Sequence, residues 1–211
     1  MRRQLFRALV AIATFVTTPG VFAADRLRAG PQDGRIVVNV FKAGLFSVFA
    51  HDHHFAVTDW NASAVVPGGD PAAASVEVVL SSGSLHDTQS RLSERDRRKV
   101  DARAAGPEGL DAAHHPRIEF RSERVELSAP ARADAPVHGT VHGMLSVRDR
   151  TVPVDVPFEA EHGAGGWRVH GTAKLRQSAL GIRPFSGFGG TIKVKDEVTV
   201  EFSFTLRRPR G

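Results

Sequence analysis

The sequence predicts an all-β protein of about eight antiparallel strands, closed as a barrel or stacked as a sandwich, with one helical interruption. Three observations carry that expectation. Apolar residues recur with a period of two over many short segments. Turn signals separate these segments at short, fairly even spacing. One charged stretch, Leu92 to Ala105, breaks the pattern.

The clearest strands flank the stretch from Trp167 to Leu206. Trp167, Val169, Gly171, Ala173 and Leu175 share one face, and Val198, Val200, Phe202, Phe204 and Leu206 share another. Their polar neighbours alternate with them, so each strand has one dry and one wet side. The linker from Ser178 to Thr191 is too long for a tight turn and carries Ile182, Phe185 and Phe188. Dry strand faces beside a long loop with loose aromatics suggest a container with a lid.

In chain order, residues 1–23 read as a secretory signal peptide. Arg2, Arg3 and Arg7 precede an apolar run from Ala8 to Val16, and Val21-Phe22-Ala23 leads into Ala24. The apolar run is shorter than the roughly 20 residues that span a bilayer. No stable membrane span is therefore expected after its removal. Residues 24–34 are a polar lead-in, 35–206 the folded domain and 207–211 a basic tail.

Arg35 to Phe41 reads as the first strand. Leu45, Phe46, Val48 and Phe49 suit one or two turns of helix. Phe55 to Val66 and Ser75 to Leu80 are the next strands, divided by the strong turn signal Pro67-Gly68-Gly69-Asp70-Pro71. Leu92 to Ala105 is a surface helix with Ser93 as N-cap, stopped by Gly106-Pro107. Leu110 to His115 makes a short turn. In Arg117 to Leu127 the apolar phase slips between Phe120 and Val125, which predicts a bulge near Ser122 to Arg124. Val137 to Arg148 alternates cleanly, and Val152 to Phe158 continues the dry face. Pro153 and Pro157 fall on the wet side, where they weaken pairing. Gly139, Gly143 and Gly171 face inward, where they leave room inside or ease strand coiling.

Composition excludes some functions. The chain has 28 basic and 23 acidic residues, net +5, and no cysteine. Without the leader's three arginines the surplus is +2, and Arg207, Arg208 and Arg210 account for more than that. A near-neutral body offers no broad phosphate-binding surface, so nucleic acid is not an expected partner. Export without disulfides suits a bacterial periplasm.

These segments resemble the YceI-like domain, the polyisoprenoid-binding, lipocalin-like periplasmic family, over roughly residues 35 to 206. LDAAHHPRIEFRSE, from Leu110 to Glu123, looks like the family's Phe-Asp-x-x-x-x-Pro-x-Ile-x-Phe-x-Ser segment. VHGTVHGMLSVRDRTVPVDVPFE looks like its paired strands, LRQSALGI like its Arg-x-x-Phe-Gly-Ile stretch, and VKDEVTVEFSF like its closing strand. The departures are the absence of tyrosine, the stretch AGLFSVFAHDHHFAVTDW, and an arginine-rich helix before Leu110. The resemblance implies an eight-stranded antiparallel lipocalin-like barrel with one or two short helices, holding a long isoprenoid or similar amphiphile.

On that reading the protein is a periplasmic carrier, not an enzyme, and needs no cofactor beyond its lipid ligand. Lumen candidates are Val141, Leu145, Val154 and Val156, then Trp167, Val169 and Leu175, then Val198, Val200, Phe202 and Phe204. Leu180, Ile182, Phe185 and Phe188 are candidates to close the mouth, and Phe46, Phe49, Phe55 and Trp60 to close the other side. A homodimer is left open.

The rival reading is a metal-binding protein or metal-dependent enzyme centred on His51-Asp52-His53-His54. Zinc takes imidazole nitrogen but needs three or four ligands, and the same residues could instead pin the loop to the barrel end. His138 and His142 are four residues apart on the wet face, roughly 13 Å, too far to share one ion. No Gly-x-Ser-x-Gly elbow or metalloprotease helix motif is present, and nothing nominates a catalytic residue.

Overall fold

The alternating segments form one antiparallel sheet of twelve strands among the described residues. The structure, a computed structural model, describes residues 24–43, 52–132, 135–187 and 192–209. The strands are β1 (Asp25–Ala29), β2 (Gly34–Ala43), β3 (His53–Val57), β4 (Trp60–Val66), β5 (Ser75–Ser81) and β6 (Leu85–Asp87). Then come helix α1 (Glu94–Ala105), β7 (Arg117–Leu127), β8 (Val137–Val147), β9 (Arg150–Gly163), β10 (Gly166–Arg176), β11 (Ser186–Gly187) and β12 (Ile192–Leu206). Hydrogen-bonded neighbours run β1-β4-β5-β7-β8-β9-β10-β12-β2-β3-β6, with β11 beside β12.

The sheet curls into a barrel whose last strand meets its first. Arg28 N–H donates to the Arg207 carbonyl at 2.7 Å, and Arg207 N–H to the Arg28 carbonyl at 2.8 Å. Twelve strands replace the eight expected, and the surplus has a local cause. A 3-10 turn at Pro31–Asp33 divides β1 from β2, Thr58-Asp59 divides β3 from β4, and Ser82 to Ser84 divides β5 from β6. Each broken strand keeps company with its neighbour on both sides of the break: β1 pairs β4 and β2 pairs β3, while β4 pairs β5 and β3 pairs β6. The two-residue β11 is the fourth extra element. Asp25–Ala29 also turns part of the expected lead-in into a strand.

The phase slip in β7 is a bulge, with the register against β8 shifting between Ser122 and Arg124. Val76 N–H donates to Ser122 Oγ at 2.7 Å there, so the next strand uses the irregularity. Helix α1 starts where Ser93 Oγ accepts from Asp96 N–H at 3.2 Å. It ends at Gly106 and buries no residue of its own. Asp101 ties it to β6, accepting from Asp87 N–H at 2.7 Å. The helical turns expected around Leu45 to Phe49 lie outside the described residues.

Two buried clusters hold the wall. One joins Leu27, Ile36, Val57, Trp60, Phe204 and Leu206. The other joins Leu145, Val147 and Val154 to Leu180 and Ile182. The inward glycines do not leave empty volume. A Cβ on Gly139 would sit 2.4 Å from the Glu126 carbonyl oxygen and 3.1 Å from the Phe158 ring. On Gly143 it would meet the Arg121 carbonyl at 2.3 Å and the Phe120 ring at 2.8 Å. On Gly171 it would meet the Pro157 carbonyl at 2.2 Å and the Phe202 ring at 2.6 Å. Each glycine is a bed for an aromatic ring.

Candidate functional site

Inward-facing side chains that do not meet across the barrel leave a cavity of about 360 Å³. Its lining is almost wholly apolar: Gln177 is the one amide or charged side chain in it among the described residues. Even Gln177 turns its amide away, donating from Nε2 to the Lys195 carbonyl at 2.8 Å. The volume falls in the roughly 300–1,000 Å³ range of small-molecule sites.

All eleven lumen candidates lie on this wall. Val141, Leu145, Val154 and Val156 come from β8 and β9; Trp167, Val169 and Leu175 from β10; Val198, Val200, Phe202 and Phe204 from β12. The opposite wall was not nominated from sequence. Ile36, Val38 and Val40 of β2, Val76, Val78 and Leu80 of β5, and Ile118 and Phe120 of β7 complete it. Their period of two was visible, but which strands curl to face each other is a property of the closed sheet.

The residues assigned to closing the barrel divide. Leu180 and Ile182 are buried and line the cavity. Phe55, expected at an end, lines the cavity wall and is 6% exposed, because it lies two residues from the inward Val57 and shares its face. Trp60 is also displaced from the expected closure: it is buried against Phe204, ring centroids 5.2 Å apart, and does not line the cavity. Its indole N–H has no hydrogen-bond partner among the described residues. Phe185 packs under the Arg103 guanidinium of α1, 4.2 Å from the ring centroid, and does not line the cavity either. Such a contact joins the 182–187 segment to the helix. Phe46, Phe49 and Phe188 lie outside the described residues.

A gap in the sheet explains why Leu180 and Ile182 are needed. Pairing of β9 with β10 stops at Phe158 and Gly171, next to Pro157, which has no N–H to give. The two prolines do not interrupt β9 on its other side, where pairing with β8 runs through both. Beyond the stop, the 3-10 turn Ser178–Leu180 fills the opening. Gly181, with φ 73°, completes the turn in the left-handed region. Asp196 fastens it: Ser178 N–H donates to Oδ1 at 2.8 Å and Ser178 Oγ–H to Oδ2 at 2.6 Å. Asp196 is available because the register of β12 against β2 shifts between Val194 and Val198.

The hydroxyl and the backbone N–H of Ser178, in that order of effect, hold the Asp196 carboxyl below its ordinary value of 3.8. A carboxylate stabilised in the fold contributes above the unfolded value and is lost as pH falls through the lower folded one. Acidification from pH 7 is therefore expected to loosen the Ser178–Leu180 turn. The amide resonances of Gly181 and Ile182 should move with a midpoint below 3.8. A midpoint at or above that value would show that Asp196 does not hold the turn.

The histidine cluster is not gathered into one site. Adjacent strand residues point to opposite faces, so His53 and His54 part. His53 Nδ1 faces Asp87 Oδ2 at 2.6 Å, whereas His54 Nδ1 faces Asn39 Oδ1 at 2.6 Å. Asp52 accepts from Lys42 N–H at 2.9 Å, and His51 lies outside the described residues. Among the described residues no three His, Cys, Asp or Glu side chains are grouped to hold a metal ion, and the metal reading finds no support in this geometry. His142 faces Asp155 at 2.6 Å and Glu126 at 3.3 Å, and His138 faces Glu159 at 3.5 Å.

A family model described as the YceI-like domain matches residues 33–206. Among solved structures, the fold is similar to that of Burkholderia cenocepacia BcnA, with TM-score 0.58 and 18% identity, covering 81% of this chain and 94% of that one. It is also similar to the YCEI protein of Campylobacter jejuni, with TM-score 0.50, 12% identity and coverages of 74% and 84%. A mutant CJ YCEI protein gives 0.51 at the same identity and coverages. At these identities the likeness is one of fold. No curated protein matches the sequence. No helix among the described residues is long and apolar enough to cross a membrane, which says nothing of strands.

Proposed function

Because this chain belongs to the YceI-like domain family, we propose that it is an exported, periplasmic carrier that sequesters the apolar chain of an isoprenoid or similar amphiphile. On this reading the twelve strands serve as an eight-stranded lipocalin-like barrel with three interrupted staves, and residues 1–23 are removed on export. The observation that carries it is the cavity of about 360 Å³ with one amide in its lining. Water gains little in such a space, because genuinely empty cavities are apolar and stay dry. An apolar chain gains about 0.8 kcal/mol per buried methylene. The mechanism is equilibrium sequestration and asks no residue to do chemistry.

The test is native mass spectrometry of the protein recovered from the periplasmic fraction, followed by organic extraction of the same sample. The expected mass is that of a chain beginning at Ala24 plus one extra component that passes into the solvent. A bare polypeptide that also takes up no added amphiphile would sink the carrier reading.

A further inference from the structure

The His53–Asp87 pair is a polar feature of the lumen-side face, among the described residues, that sequestration alone does not use. His53 lies opposite Val40 in the β2–β3 ladder and shares the face of Phe55 and Val57. Asp87 lies opposite Phe55 in the β3–β6 ladder, so it projects to that same face. Val40, Phe55, Val57 and Leu85 all line the cavity. The pair therefore sits on the cavity side of the sheet, at the end of the barrel where Asp101 of α1 holds β6.

Its geometry is built rather than incidental. The Asp87 side chain is fully buried and that of His53 is 21% exposed. Asp87 Oδ1 accepts from Gln89 N–H at 2.8 Å and Oδ2 faces His53 Nδ1 at 2.6 Å. A buried carboxylate with these partners is an acceptor, so it selects the tautomer with the proton on Nδ1. With its ring neutral, that tautomer presents a lone pair at Nε2. Neither residue lines the cavity itself, but both project to the face that does, and a lone pair there takes a donor, which an alcohol or phenol brings on a compact head. An ether or a quinone carbonyl brings none, and a phosphate adds negative charge beside a buried carboxylate.

We propose that His53, oriented by Asp87, anchors the hydroxyl of an amphiphilic alcohol or phenol whose apolar chain occupies the cavity. His53 accepts the ligand's O–H at Nε2, and Asp87 is a positioning residue that fixes the tautomer. This inference rests on the carrier reading and adds to it the head group and the direction of entry, head at the α1 end and tail inward.

The test compares farnesol with farnesyl methyl ether, which share one chain and differ in the donor, by titration calorimetry on the mature protein. Wild type is expected to bind farnesol about tenfold more tightly, the size of one hydrogen bond to an acceptor backed by a charge. His53→Phe should bring the two ligands within twofold of each other, and Asp87→Asn should lower the preference in part. Equal binding of both ligands by wild type, or an undiminished preference in His53→Phe, overturns the anchor and leaves the carrier standing. Binding of neither ligand overturns both. The wild-type comparison decides the matter even if a variant fails to fold.

Discussion

Gly143→Leu is expected to destabilise the protein, with Tm falling by roughly 2–12 °C. The reason is contact with main chain. A Cβ at this position lies 2.3 Å from the Arg121 carbonyl oxygen and 2.8 Å from the Phe120 ring. The ring could rotate away, but the carbonyl belongs to β7, which pairs with both β5 and β8. Relief requires moving a strand held on both edges. Overpacking costs about 1–3 kcal/mol and sometimes more, and each kcal/mol shifts Tm by about 2–4 °C in a chain of this size. A thermal melt decides it: a Tm within a degree of wild type would show that the β7–β8 pair has slack the geometry denies. Any loss of ligand by this variant would follow from loss of fold, so it does not report on what the lumen holds.

Ala173→Phe is expected to do the opposite, keeping the fold and emptying the site. Ala173 is buried, lines the cavity and pairs with Val200 of β12. It lies beyond the point where β9 and β10 part, so the added ring has the lumen to enter rather than a neighbouring strand. If the ring takes the room of about four methylenes of ligand, at about 0.8 kcal/mol each, the loss is roughly 3 kcal/mol, or about 200-fold in Kd. Tm should stay within a few degrees, since filling a cavity restores packing contacts. Farnesol titration with a parallel melt is the measurement. An unchanged Kd in a folded variant would place the ligand outside the lumen.

The sequence by itself determined the secondary structure closely, because period two, turn chemistry and capping are local. The bulge at Ser122 to Arg124, the Ser93 cap and the faces of β8, β10 and β12 were all legible in this way. The apolar wall was half legible for the same reason, since a dry face can be read from one strand at a time. It could not be read from one strand that the faces of β2, β5 and β7 would close the other half.

Only the tertiary structure decided the rest, and in each case the cause is non-local. The glycines of β8 and β10 look like missing volume in one dimension, but rings from neighbouring strands lie over them. Trp60 and Phe55 look like loose aromatics near a loop, but pairing carries them into the wall. The HDHH run looks like one cluster, but the alternation of β3 sends His53 and His54 to opposite faces. The partner of His53 stands 34 residues away in β6, and no local pattern connects them. Periodicity fixes which way a side chain points along its own strand; what it meets there depends on which strands the closing sheet brings alongside.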